Sequence, residues 1–247
     1  MMIRYSKFRR WHHWLSLVFG LQLLIWSLTG SYMVWVQLPF IHGTALTANT
    51  DQPLGNDAPL SALTQVQQSY SAAREVSLVN RHIGNAWRYV AQVGEPTQSY
   101  LVDLETLNKL VLTEQDIRDL ADMSYTGTGK LNDVRLLTGQ VPNEVSMLQA
   151  PVWRADFADA LGTTLYLSPT TGAVLTQRHD YWRLFDVMWM LHIMDYDTRS
   201  DITTPWLQAF IVGNMVLIVT GFVLLIPTFK KIRKATDKRV SSFRGGA

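Results

Sequence analysis

The chain of 247 residues contains no cysteine, and this absence excludes several kinds of chemistry. Without cysteine there can be no disulfides, iron–sulfur clusters, thiol catalysis or thiolate zinc sites. Any metal or cofactor must therefore be held by His, Met, carboxylate, Tyr or backbone groups. Charged residues are scarce as well, at 17% of the chain, whereas hydrophobic residues make up 47%, which excludes an intrinsically disordered chain.

The sequence also lacks the motifs of nucleotide and hydrolase chemistry. It has no Gly-rich dinucleotide fingerprint, no Walker loop, no HExxH pair and no nucleophile elbow. Nothing in it indicates a nucleic acid partner. If the protein transfers electrons, it must therefore receive them from a quinol or from another protein, because it has no flavin or nicotinamide domain of its own.

Two long uncharged runs indicate transmembrane helices. The first run covers Trp14–Val36 and the second covers Trp206–Phe229. At about 1.5 Å per residue, each run can cross the ~30 Å hydrocarbon layer of a bilayer. A cleaved signal peptide is the alternative for the first run, but its apolar stretch is too long and Leu38-Pro39-Phe40 is no small-residue cleavage site. We therefore predict transmembrane helices over 11–38 and 205–229.

The positive charges are concentrated at the two ends of the chain. The segment before the first run carries only basic charges, which are Arg4, Lys7, Arg9 and Arg10. The segment after the second run is also basic, with a single acid, Asp237. The positive-inside rule therefore places both termini in the cytoplasm and residues 43–204 across the membrane, as in a bacterial inner-membrane protein with a periplasmic domain. The basic tails, 1–10 and 230–247, should bind anionic lipid.

The predicted periplasmic domain, 43–180, contains a weak internal repeat of strand patterns. Trp87-Arg88 begins one copy and Trp153-Arg154 begins the other. In each copy a polar turn, a short strand pattern and a tight turn follow, and a last apolar strand closes the copy at Leu110–Leu112 or Ala173–Leu175. The repeat predicts two related antiparallel meanders.

A helix is predicted before each meander. The first should cover Leu60–Arg74. The second should begin at Thr113, because Asp116 three residues later makes the sequence close to a capping box. The predicted fold is therefore a membrane protein in which two transmembrane helices flank an α+β domain with two related halves.

Three segments resemble the PepSY-associated transmembrane family. The strand–turn pattern that ends in YLSPTTGAVL resembles a PepSY domain. RRWHHWLSLVFGLQLLIWSLTG resembles the family's first membrane helix, and MWMLHIMDY with the second apolar run resembles its second helix. Larger members look like haem-containing reductases of ferric siderophores, and two-helix members resemble inner-membrane proteins that reduce ferric iron. The chain departs from the family pattern by an acidic insertion, 195–201, before Pro205.

Two histidines match the family's membrane motifs, and the resemblance implies that they bind haem b. His12 stands in the first motif and His192 in the second. Neutral imidazole is a strong axial ligand for iron, and apolar helices shield a porphyrin from water. A structural role, such as capping a helix or contacting a lipid headgroup, is the alternative for either histidine.

The other four histidines divide into two groups. His13 competes with His12 for the ligand position, because at 100° per residue it lies close to the helix face of Gly20. His42, just past the periplasmic end of the first helix, is a further candidate haem ligand. His82 and His179 lie well inside the soluble domain and are predicted to be structural.

One pair of helices is a poor enclosure for a cofactor, so the sequence also predicts a homodimer. Two chains related by a two-fold axis would form a four-helix bundle, in which each histidine is matched by its twin. Small residues at helix-contact spacing favour close packing, and they are Ser16 and Gly20, Ser27 and Ser31, and Gly213 and Gly221.

The segment before the second membrane helix, 181–204, has two parts. Its first part is rich in Trp, Met and Phe, and it is either an interfacial helix or an early turn of the second membrane helix. Its second part is acidic, and the hard carboxylates of Asp195, Asp197 and Asp201 would suit Fe³⁺. A solvated turn leading to an N-cap at Thr204 is the alternative.

Three functions follow from these features. The first is a haem b protein that passes electrons across the inner membrane to periplasmic ferric iron or a ferric siderophore. The second is a membrane-anchored PepSY module that binds or inhibits a periplasmic protein. The third is an accessory subunit of an iron transporter. Histidines at both ends of the membrane helices favour the first.

Overall fold

The computed structural model describes residues 2–244, with side chains described from 7 to 227 and at 229. The chain divides into two compact units. The membrane unit consists of residues up to Trp35 together with those from Asp186 onward, and the central unit covers Val36–Phe185. The lipid contact predicted for the basic tail 230–247 falls outside the side chains that the structure describes.

Two long antiparallel helices form the membrane unit. They are α1, Met2–Trp35, and α6, Pro205–Arg244. Each contains a stretch that is long and apolar enough to cross a membrane, at Lys7–Trp35 and Pro205–Pro227. These stretches agree with the two predicted transmembrane segments.

The ends of these helices differ from the predicted ones. Helix α1 is longer at its start and ends at Trp35, and α6 continues past 229. The break after α1 occurs where Gln37 adopts an extended conformation, and Pro39 lies in the first turn of a short helix, α2, Leu38–Ile41. Proline is tolerated there because its missing N–H has no helical partner in the first turn.

The close approach of α1 and α6 depends on a glycine. A Cβ atom on Gly213 would lie 2.0 Å from the ring of Phe19, so only glycine leaves room for this side chain. The Phe19 ring also stacks against Phe210, with 6.3 Å between ring centroids. The small residue predicted to mediate helix packing at this position is therefore used within one chain.

A separate helix, α5, Asp180–Ile193, precedes α6. The residues that follow α5 form a loop, and α6 begins at Pro205. The hydroxyl of Thr204 accepts a hydrogen bond from the backbone N–H of Leu207 at 3.2 Å, which is an N-cap contact. The aromatic segment is thus a helix of its own and not an early turn of α6.

The central unit contains two antiparallel sheets. The first sheet is formed by β1, Glu75–Ile83, β2, Ala86–Gly94, and β3, Ser99–Asp103. The second is formed by β4, Lys130–Leu137, β5, Val152–Ala158, β6, Thr164–Leu167, and β7, Val174–Arg178. Strands follow one another in chain order in both sheets, so each half is a meander as predicted.

The predicted internal repeat is correct for the central strands of each sheet and incomplete at both ends of each copy. Trp87 and Trp153 lie in the second strand of their sheets, with a pairing strand following each. The repeat pattern did not include β1 and β4. Leu110–Leu112 forms no strand, because the chain there makes only an isolated bridge between Lys109 and Val102.

Each sheet has the predicted helix before it or beside it. Helix α3 covers Ala62–Ser69 and is shorter than predicted, because the backbone of Arg74 already pairs with the end of β2. Helix α4, Glu114–Ser124, begins with a complete capping box between Thr113 and Asp116. This confirms the sequence-based start of α4.

The core of the central unit joins the two halves through α4. Ile117 and Leu120 of α4 lie in one buried cluster with Leu101 of β3 and Leu165 of β6. Fully burying such a side chain contributes roughly 1.5–3 kcal/mol. The two halves therefore share a core and fold as one unit.

Candidate functional site

The first candidate site is formed by His12 of α1 and the end of α6. The Nδ1 atom of His12 lies 2.8 Å from the hydroxyl oxygen of Thr220. That hydroxyl is also 2.9 Å from the backbone carbonyls of Val216 and Leu217, and either of them can accept its single proton. When the hydroxyl donates to one of these carbonyls, Nδ1–H of His12 donates to the hydroxyl and Nε2 is the unprotonated nitrogen.

The second candidate site repeats this arrangement with His192 of α5 and the end of α1. The Nδ1 atom of His192 lies 3.0 Å from the hydroxyl oxygen of Thr29. The Thr29 hydroxyl is also 3.0 Å from the carbonyls of Ile25 and Trp26, and either of them can accept its single proton. The same tautomer, with the proton on Nδ1, therefore fits His192, whose ring stacks on that of Trp26 with 4.5 Å between centroids.

A glycine follows the threonine at both sites and makes room for the imidazole. A Cβ on Gly30 would lie 3.1 Å from Cε1 of His192, and a Cβ on Gly221 would lie 3.3 Å from Cε1 of His12. Both distances are shorter than ordinary contacts between carbon atoms. The Thr-Gly pair therefore supplies a hydrogen-bond acceptor and a flat surface for each histidine.

The two sites lie towards opposite ends of the membrane helices. His12 is near the start of the stretch that can span a membrane, whereas Thr29 is near its end. At about 1.5 Å per residue, these positions are roughly 25 Å apart along α1. A neutral imidazole whose Nδ1–H is held by an oxygen is the usual form of a histidine that binds a metal through Nε2.

An apolar cavity of about 380 Å³ lies beside His192 in the membrane unit. Leu23 and Trp26 of α1 and Phe210 of α6 contribute to its walls. Its polar side chains are His192 and Asn214, and Asn214 donates to the backbone carbonyl of Phe210 at 2.9 Å. The cavity thus offers an apolar space next to His192.

The other two predicted haem ligands, His13 and His42, are both exposed. His13 is exposed on α1 and forms no hydrogen bond with the residues that the structure describes. His42 is exposed as well, and its backbone carbonyl accepts from the side chain of Gln177. Of the two adjacent histidines, His12 is therefore the one that α6 holds.

The two histidines of the central unit differ, because both ring nitrogens of His179 are hydrogen-bonded, whereas the buried Nδ1 of His82 has no hydrogen-bond partner among the described residues. His179 is fully buried, where its Nε2 donates to the carbonyl of Phe40 at 2.9 Å and its Nδ1 accepts from the N–H of Trp182. Both ring nitrogens are thus used in capping α5 and joining it to the preceding chain. His82 lies on β1 with its ring edge-on to that of Trp87.

The acidic loop does not assemble the predicted ferric-iron site. The carboxylate of Asp195 accepts the hydroxyl of Thr198 and four backbone N–H groups, which belong to Asp197, Thr198, Ser200 and Asp201. These hydrogen bonds, that of the Thr198 hydroxyl first, hold the pKa of Asp195 well below its usual range. Asp201 is used in the same way by Thr203.

These contacts give the acidic loop an organising role instead of an iron-binding one. The hydrogen bonds that Asp195 accepts stabilise the loop that connects α5 to α6. This role of Asp195 could not be predicted from the sequence. Among the side chains that the structure describes, 7–227 and 229, no group of three or more His or acidic residues is placed to hold a metal ion directly. Asp195, Asp197 and Asp201 are therefore not a candidate metal centre.

Sequence reasoning proposed His12 and His192 as haem ligands, which stays a prediction, but it did not include the side chains that contact them. Thr29, Thr220, Gly30 and Asn214 were not predicted to belong to a site. A signal for them exists, because the dipeptide Thr-Gly occurs late in each membrane helix. Only the structure shows that each Thr-Gly pair contacts a histidine of a different helix.

The comparison with protein families agrees with this architecture. The model of the PepSY-associated TM region matches residues 9–245 of the chain. Because the match covers almost the whole sequence, the protein belongs to the PepSY-associated transmembrane family. Neither a curated protein nor a solved structure matches the chain.

Proposed function

We propose that the protein binds haem b in its membrane unit through His12 and His192 and passes electrons to ferric iron. The observation that carries this proposal is the shared geometry of the two histidines. In each, Nδ1 lies within hydrogen-bond distance of a threonine hydroxyl, and the tautomer protonated at Nδ1 leaves Nε2 available to a metal. Haem, when bound, would accept and release single electrons by cycling between ferric and ferrous iron.

The residues present fit a non-covalently bound haem. The chain has no cysteine for thioether links, and imidazole is its strongest available ligand. Gly30 and Gly221 leave the histidines room to lie flat against the helices. The apolar cavity beside His192 would exclude water from a cofactor bound there.

We further propose that the active form is a homodimer. Each site supplies one histidine per chain, and a second copy would add the matching axial ligand. Gly213 and Gly221 are occupied within the chain by Phe19 and His12. Any close contact between copies would therefore use other faces of α1 and α6.

The proposed electron path crosses the membrane. A quinol or an unidentified donor protein would supply the electron, and ferric iron or a ferric chelate at the other face would accept it and become ferrous iron. The basic segments at both chain ends favour cytoplasmic termini in a bacterial inner membrane and a periplasmic central unit. His192 would then lie at the periplasmic end of the path.

An absorption spectrum tests the proposal directly. Protein purified from cells with ample haem is expected to show a Soret band, with sharpened visible bands after dithionite reduction, as in bis-histidine b-type haem. Addition of ferric citrate to the reduced protein should restore the oxidised spectrum. A protein without a Soret band under these conditions would instead be an anchored binding module or a transporter subunit.

The threonines should tune the proposed iron sites. In Thr29→Val and Thr220→Val the side-chain shape is kept, but the acceptor for Nδ1–H is lost, so the imidazole becomes a weaker donor to iron. We expect haem affinity to fall by about 10–100-fold and the midpoint potential to rise, because ferric iron is stabilised less. Redox titration of the Soret band measures this effect.

Serine variants provide the matched control for the threonines. Thr29→Ser and Thr220→Ser retain the hydroxyl and should restore both affinity and midpoint potential. A valine variant with the potential and affinity of the natural protein would show that the hydroxyl does not act on a ligand.

A further inference from the structure

A polar cavity of about 500 Å³ lies in the second half of the central unit. It is formed by the short 3₁₀ turn Asn143–Val145, by β5, by the start of β6 and by Arg183 of α5. Its charged side chains are two arginines and two acids, and they are Arg154, Arg183, Glu144 and Asp156. Which of these groups still has unused hydrogen-bonding capacity determines what the cavity can bind.

Arg183 and Glu144 are fully engaged with other groups of the protein. All five N–H groups of Arg183 are used, by Glu144, Asp180, Thr164 and the carbonyl of Gly162. Glu144 also accepts the hydroxyl of Tyr166 at 2.7 Å. Burial raises the pKa of Glu144, but the hydrogen bonds from Arg183 and Tyr166 outweigh it and keep that pKa below its usual value.

Asp156 is engaged in the same way. Its carboxylate accepts Nε of Arg154 at 2.9 and 3.0 Å and the hydroxyl of Thr164 at 2.8 Å. It also forms an ion pair with Arg135 at 3.3 Å. Both acids of the cavity are thus already neutralised by arginines of the protein.

Arg154 is the exception among these charged groups. It uses only Nε for Asp156, and its two terminal nitrogens have no partner among the residues that the structure describes. Its side chain is 23% exposed and lines the cavity, where its charge also acts on Glu144. Asn143, which carries a side-chain amide donor, is exposed and also lines the cavity.

The unused hydrogen-bonding capacity of the charged groups in the cavity therefore lies in donors, the terminal N–H groups of Arg154. Two terminal guanidinium nitrogens form a planar fork that matches the two oxygens of a carboxylate. We infer that this cavity binds a small organic polycarboxylate, with one carboxylate on the fork of Arg154 and another near Asn143. The cavity volume suits a molecule of a few carbon atoms with more than one acid group.

This inference rests on the proposed function for its meaning in the cell. Carboxylates are hard oxygen ligands of the kind that suit Fe³⁺, so a polycarboxylate is a natural carrier of ferric iron. The central unit would then hold the chelate through a free carboxylate. Binding itself needs neither haem nor electron transfer.

Isothermal titration of the full-length, detergent-solubilised protein with citrate tests the inference. We expect saturable binding of one citrate per chain, and binding of gallium(III) citrate, which mimics the ferric complex without being reduced in this assay. Arg154→Gln should lower citrate affinity at least about tenfold, because the charge-assisted fork is lost. Arg154→Lys keeps the charge without the fork and should fall in between.

The internal repeat provides a matched control. Arg88 occupies the position of Arg154 in the first half of the central unit, after Trp87, and it is exposed. Arg88→Gln changes the net charge equally and should leave citrate affinity unchanged. Equal losses in Arg88→Gln and Arg154→Gln would mean that citrate responds only to overall charge, and would overturn the assignment.

Hydrogen exchange on the unmodified protein keeps the test independent of the variants' folding. Citrate should slow exchange in β5 and in the turn at Asn143–Val145. Absence of citrate binding, or protection confined to other elements, would overturn the inference, as would a peptide carboxyl terminus binding where citrate does not. A protein that binds citrate but lacks a Soret band would refute the proposed redox function and leave this site standing.

Discussion

Replacing His12 or His192 with Ala is expected to lower the haem content of the purified protein at least about tenfold. Each substitution removes the only described imidazole at its site that presents Nε2 against a Thr-Gly pair. Haem left with one axial ligand in an apolar site binds less tightly and changes its spin state and potential. The double variant should show no Soret band.

The ratio of haem to protein in the purified variants measures this effect. His13→Ala is the matched control, because His13 is adjacent to His12 but exposed and unpaired among the described residues. The rate of ferrous iron formation, followed with a chromogenic ferrous chelator, should fall together with haem content. Full haem content in both single variants would contradict the assignment and direct attention to His13 and His42.

The membrane helices were the most predictable part of the fold. An uncharged run that is longer than the bilayer is thick rarely occurs outside a membrane-spanning helix, and α1 and α6 lie where these runs occur. Their ends were less predictable, because Arg9 and Arg10 mark the limit of the apolar stretch and not of the helix. A helix can continue through charged residues once it leaves the hydrocarbon layer.

The central unit shows what a repeat pattern can and cannot predict. The capping box at Thr113 was correct because it depends on two local side chains. Leu110–Leu112 was wrong because an apolar triplet becomes a strand only if a neighbouring strand offers a full register of partners. Sequence patterns that depend on neighbouring residues predicted the structure correctly, whereas patterns that depend on a distant strand partner did not.

The candidate site was predictable in residue type but not in geometry. A helical wheel of α1 places His13 near one face and His12 near another, and only the position of Thr220 on α6 shows which face is packed. The acidic loop illustrates the reverse case. Its residue types are those of an iron site, but the carboxylate of Asp195 accepts hydrogen bonds from the Thr198 hydroxyl and the backbone of its own loop.

Filling the space in front of each histidine should have an effect as large as removing the histidine. In Gly30→Val the new Cβ alone would lie 3.1 Å from Cε1 of His192, and the two methyl groups would extend further. The ring must then leave Thr29, and the lone pair on Nε2 loses its orientation. We expect the same loss of haem as in His192→Ala, although the histidine is still present.

Gly221→Val should act on His12 in the same way, since its Cβ would lie 3.3 Å from Cε1 of that ring. Gly139→Val in the central unit is the control, because a Cβ there also meets nothing within 4 Å and the residue lies outside the membrane helices. The three variants are compared by haem content at equal oligomeric mass and equal helix content by circular dichroism. If Gly30→Val and Gly139→Val bind equal amounts of haem, the position of His192 against Gly30 does not matter for the cofactor. If only Gly30→Val and Gly221→Val lose haem, the fixed orientation of the two imidazoles is what the Thr-Gly pairs provide, and the presence of a histidine at those positions is not sufficient.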